Sequence, residues 1–167
     1  MAAEQLYTAW NGPGPTIAAQ VPVTTGTAIK TLMQLSTPAT ANLYIVEWGI
    51  SFDGFAAATP IRCELLSCTG AATVTAYVAA DITLLTDPLG PASTLTLGVS
   101  NGGYTASGEG TPAAVDVYDA QFIAPTSQYI KQYPLGREPQ CAASRFVRIR
   151  VTAAAAVNAY CYIVWGE

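Results

Sequence analysis

The sequence predicts an all-β fold, a two-sheet antiparallel sandwich of the jelly-roll kind with an extended N-terminal arm. Three observations lead there. From residue 28 onward, strong β-formers recur with period two between turn residues. No amphipathic stretch of helical period and useful length occurs anywhere. The 167 residues are enough for one domain with its own core and short for two.

Residues 1–27 read as the arm. They hold Asn11-Gly12-Pro13-Gly14-Pro15 and Val21-Pro22-Val23-Thr24-Thr25-Gly26, with no repeating apolar pattern. Leu6, Tyr7, Trp10 and Ile17 are too apolar for a solvated tail, so they are expected to anchor the arm on a neighbouring subunit or shell. Residues 28–167 form the sandwich domain, with strands expected at 28–35, 43–52, 61–68, 73–79, 115–124, 127–133, 144–152 and 157–165. In the second of these, Tyr44, Val46, Trp48, Ile50 and Phe52 alternate with Glu47, Gly49 and Ser51, as in a half-buried antiparallel strand. In the seventh, Val147, Ile149 and Val151 alternate with Phe146, Arg148, Arg150 and Thr152. The last strand is apolar on both faces and is expected to be central or covered. Between 80 and 114 the pattern weakens: residues 81–85 suit a short helical turn or strand, and residues 98–110, with five glycines, suit a loop.

Composition excludes several function classes. Charged residues make up 11% of the chain, against about 25% in an ordinary soluble domain. So little charge implies a surface partly covered by other subunits, and a chain that self-associates, most simply as a trimer. A net charge of -4, with basic residues scattered except for Arg145, Arg148 and Arg150, argues against direct nucleic-acid binding. No apolar run is long enough for a transmembrane helix. Met1-Ala2-Ala3-Glu4-Gln5 lacks the pattern of a secretory signal, so folding in a cytoplasm is expected, with Cys63, Cys68, Cys141 and Cys161 as thiols.

No catalytic residue, cofactor site or metal site is expected. The chain has no histidine, which removes Ser-His-Asp and Cys-His triads and imidazole metal ligands together. Cys63 and Cys68 are an odd number apart and face opposite sides of one strand, which does not suit zinc. Asp116 and Asp119 are the best carboxylate pair for hydrolysis, but their spacing of three separates them across a strand unless a bulge intervenes. Glu47 and Glu64 suit solvent or cross-strand pairing with Arg62, Arg148 or Arg150. Tyr129, Tyr133, Tyr160 and Tyr162 could make an aromatic platform for sugars or bases. Sheet filling or a subunit interface is the simpler role, with Tyr129 and Tyr133 the interface candidates.

The block from Ile29 to Pro38, the block from Leu43 to Gly54 and the block from Pro60 to Leu66 resemble the decoration (cement) proteins of tailed-bacteriophage capsids, and Arg145 to Trp165 is similar in character. That resemblance touches about half the chain and carries no catalytic signature. It implies a jelly-roll-like homotrimer on the outer capsid surface, bridging major capsid protein subunits and reinforcing the shell. The alternative is a phage fibre or receptor-binding module that recognises host carbohydrate.

Overall fold

The computed structural model describes residues 5–14, 19–54 and 59–167. Its two antiparallel sheets form a sandwich. Sheet I contains β1 (Leu6–Trp10), β2 (Val23–Thr24), β4 (Leu43–Phe52), β7 (Thr83–Leu84), β10 (Gln128–Gln132), β11 (Gln140–Cys141) and β13 (Asn158–Gly166). Its order is β10-β4-β13-β1-β7, with β11 also on β4 and β2 also on β13. Sheet II runs β6-β8-β3-β12-β5-β9, from β3 (Lys30–Ser36), β5 (Ile61–Cys68), β6 (Thr73–Ala76), β8 (Gly103–Gly108), β9 (Asp116–Ile123) and β12 (Phe146–Thr152). The chain changes sheet between β2 and β3, β3 and β4, β4 and β5, β6 and β7, β7 and β8, β9 and β10, β11 and β12, and β12 and β13. That winding is compatible with the jelly-roll kind.

All eight strands expected from the sequence are present, within a few residues at their ends. Their inward residues make the core: Ile45, Trp48, Ile163 and Trp165 from sheet I meet Met33, Leu35, Leu65 and Ile149 from sheet II, none measurably exposed. Each such side chain contributes roughly 1.5–3 kcal/mol by removal from water. β13 is central in sheet I, as its two apolar faces imply.

Three features differ from the sequence reading. Leu6–Trp10, expected to anchor the arm on a neighbour, forms a strand of its own sheet I, paired over five residues with β13, from Leu6 opposite Gly166 to Trp10 opposite Tyr162. Tyr7 and Ala9 point into the core, and the Tyr7 ring stacks on Trp165 with centroids 5.9 Å apart. Among the described residues between Trp10 and β3, only Val23–Thr24 form a strand, and Val21 is exposed. Second, β8 runs through the glycine-rich stretch, between β6 and β3. Glycine is needed there because a Cβ on Gly103 would lie 2.2 Å from the Thr75 carbonyl oxygen. Third, the alternation of β4 shifts at Val46. Val164 pairs with Glu47 and Trp165 with Ile45, so Val46 is an extra residue. Ile45 consequently joins Trp48 and Ile50 inside, and Tyr44 faces out.

The outer face of sheet II is partly roofed by loops. Arg148 is fully buried on that face, its guanidinium donating to the carbonyls of Glu109 (3.0 Å) and Gly70. Glu64, also buried, pairs across strands with Arg150 (2.9 Å), as the sequence reading expects, and along β5 itself with Arg62 (2.5 Å). Arg148 instead faces Glu109, 3.9 Å away.

All four cysteines are buried thiols. Burial, with the Glu64 charge nearby, pushes the Cys63 thiol up from 9.0 to about 12, and burial pushes Cys141 up to about 11. Burial also raises Tyr118 and Tyr129 to about 12, Tyr129 with help from its bond to Asp119. These neutral acids keep their protons in the folded chain when the unfolded chain has already lost them. Stability present below the unfolded value is therefore lost as pH climbs towards the folded one. The urea midpoint is expected to hold steady up to the unfolded cysteine value of 9.0 and to fall continuously towards about 12. Cys63 alone accounts for a change on the order of 4 kcal/mol. A thiol-specific chromogenic reagent should find no reactive thiol in the native protein and all four after denaturation. A flat midpoint across that range, or rapid native labelling, would contradict the core placement.

Candidate functional site

Two parts of the surface combine unusual exposure with defined chemistry. The first is the open side of the sandwich, where β9 ends sheet II and β10 ends sheet I. β9 carries a bulge: Leu65 pairs with Asp119 and Leu66 with Val117, leaving Tyr118 extra. That extra residue brings Asp116 and Asp119 to the same face of the sheet, opposite Ser67 and Leu65. They are nevertheless held apart by different partners. Asp119 is buried and accepts from Tyr129 Oη (2.8 Å), Gln121 Nε2 (2.9 Å) and Trp48 Nε1 (3.3 Å), with Lys131 Nζ 3.9 Å away. Asp116 is exposed and accepts from Arg145 (2.7 Å) and, at 3.4 Å, from Ser67.

This network ties the two sheets together, since Asp119 and Gln121 come from sheet II and Trp48, Tyr129 and Lys131 from sheet I. Trp48 and Tyr129 pack with ring centroids 5.4 Å apart. Tyr133 packs against the same core, with Lys131 5.4 Å above its ring. Tyr129 and Tyr133 are thus half-buried residues that close this chain's own sandwich. The outer row of β9 is what the open side presents to solvent. Val117, Ala120 and Phe122 project outward there, and Val115 precedes them. Phe122 is 75% exposed, Val117 53% and Val115 42%.

The second surface is the outer face of sheet I. Four strands place Ile130, Gly49, Tyr162 and Trp10 in one register row. With no side chain at Gly49, the Tyr162 ring lies over β4, where a Cβ would sit 2.4 Å from Tyr162 Cε1. The Tyr162 hydroxyl donates to Glu47 on this outer face. Trp10 packs against Tyr162 and Tyr160 with centroids 5.0 and 5.1 Å apart. Beside these rings lies a cavity of about 300 Å³ that Ser51, Gln128 and Ile130 also line.

Of the four expected arm anchors, Leu6 and Tyr7 serve the internal strand, Trp10 is half-buried on this outer face, and Ile17 lies outside the described residues. The tyrosines considered as one platform are split: Tyr160 and Tyr162 face out, Tyr129 and Tyr133 face in. Sequence reasoning missed the grouping with Trp10 because it placed no strand at 6–10. It also missed the β9 row, although Val115, Val117 and Phe122 were visible as apolar residues in an expected strand. A larger cavity, about 450 Å³, lies under residues 88–93 beside Tyr7 and Leu84.

Comparison of the chain with protein-family models, with curated proteins and with solved structures finds no match.

Proposed function

We propose that the protein is a non-enzymatic structural protein of a bacteriophage virion. In this reading it decorates the outer capsid surface, as a homotrimer, and stabilises the shell by bridging major capsid protein subunits. The observation that carries the reading is the open edge of β9: eight residues of strand, paired on one side only among the described residues, with Val117 and Phe122 exposed beside it. The bulge at Tyr118 and the inward Asp119 blunt part of this edge, and the unpaired apolar run beyond them is open to association. A partner that covers it gains main-chain hydrogen bonds and apolar contact together. The low charge content and the resemblance of residues 29–38, 43–54 and 60–66, with 145–165 similar in character, to capsid decoration proteins agree with this use.

The test is attachment to purified, undecorated capsids, read by co-sedimentation. Phe122→Asp places a charge in the row without touching the core and is expected to weaken attachment or self-association by about tenfold or more, as burial of one aromatic is worth roughly 1.5–3 kcal/mol. Light scattering after size-exclusion chromatography separates the two effects, because a variant that is still trimeric has lost only the capsid contact. Unchanged decoration by Phe122→Asp sinks the assignment of the edge. Failure of the parent protein to bind any capsid sinks the capsid reading itself.

A further inference from the structure

We propose that the outer face of sheet I carries a binding site for a neutral sugar ring, centred on Trp10, Tyr160 and Tyr162. The rings, from β1 and β13 and continued by Ile130 across Gly49, supply an apolar floor of the kind that packs against the C–H face of a pyranose. Around it stand polar groups exposed towards the groove. The Tyr160 hydroxyl, the Ser51 hydroxyl and the Gln128 amide make no side-chain hydrogen bond among the described residues. They offer donors and acceptors side by side, which is what a sugar hydroxyl requires. A cavity of about 300 Å³ lies at the small end of the range for ligand sites and suits one or two rings.

The same geometry argues against other ligands. No Lys or Arg lines the groove, so a phosphate or nucleotide finds no counter-charge. Trp10 touches both tyrosines at about 5 Å, which leaves no gap between ring faces for a quaternary ammonium group. Gly49 is part of the design, because any side chain there would lift Tyr162 off β4 and break the floor. The proposal uses a different surface from the β9 edge, so it stands or falls independently of capsid attachment.

The full chain would be titrated with the methyl glycosides of glucose, galactose, mannose and N-acetylglucosamine and with maltohexaose and cellohexaose, followed by amide chemical shifts. Choline chloride and inorganic phosphate serve as controls. At least one neutral saccharide is expected to bind saturably, with Kd on the order of 1 mM, and to move signals only in β1, β4, β10 and β13. Tyr160→Ala, on the outer face and away from the core, should weaken that binding by about tenfold. Trp10→Ala should do the same, and Ser51→Ala should cost less. The proposal is overturned if no saccharide binds at about 20 mM, if Tyr160→Ala binds as well as the parent, or if choline or phosphate occupies the groove instead.

Discussion

A chain lacking residues 1–24 is expected to lose the folded sandwich altogether, with no cooperative unfolding transition and with exposed apolar surface that binds a hydrophobic dye. β1 lies between β13 and β7, so its removal uncovers the main-chain groups of the central strand over residues 162–166. It also removes Tyr7 from against Trp165, and large-to-small changes at such sites cost about 3–5 kcal/mol. The buried Asn11 goes with it. Its side chain donates to the Ala159 carbonyl (3.0 Å) and accepts from the Cys161 amide (2.9 Å). Each group so orphaned costs about 1–3 kcal/mol, and a domain of ordinary stability has only about 5–15 kcal/mol to lose. Asn11→Ala is the milder version and should lower stability by roughly 2–4 kcal/mol while the chain still folds. Circular dichroism with thermal and urea unfolding decides it. A truncated chain that unfolds cooperatively near the parent's midpoint would restore the reading of residues 1–27 as a detachable arm.

Asp119→Ala is the second large effect, expected to cost about 3–5 kcal/mol, because it strands three donors and weakens the link between the sheets in one step. Trp48 Nε1, Tyr129 Oη and Gln121 Nε2 all converge on that carboxylate. Asp119→Asn keeps the shape and one acceptor oxygen and should cost only about 1–2 kcal/mol. Lys131→Met removes a half-exposed charge at 3.9 Å and should change stability by less than about 1 kcal/mol. Urea midpoints give the order, and near-ultraviolet circular dichroism reports whether Trp48 and Tyr129 keep their packing. If Asp119→Ala falls within about 0.5 kcal/mol of the parent, the open side is held by apolar packing and the network contributes nothing.

Period-two alternation is a local property, and it was enough to place eight strands and the two-sheet class, since each strand's neighbours in sequence report which of its faces is buried. Val147, Ile149 and Val151 went inward as their alternation with Arg148 and Arg150 requires. Partner choice and bulges are not local. Leu6–Trp10 lies in a proline- and glycine-rich stretch with no repeating apolar pattern and does not read as a strand until its partner arrives from residues 162–166, at the opposite end of the chain. One extra residue at Val46 moves Tyr44 outward and Ile45 inward. Another at Tyr118 brings Asp116 and Asp119 to one face, which spacing alone forbids. Both surfaces used in the functional reading depend on such events. The row of Ile130, Gly49, Tyr162 and Trp10 comes from four segments far apart in sequence, aligned only by inter-strand hydrogen bonds. The sequence by itself therefore determined the eight regularly alternating strands and most of the residues that seek the core. Register across the sheets decided which aromatics meet, because a slip of one residue reverses every face and only the long-range ladder sets it.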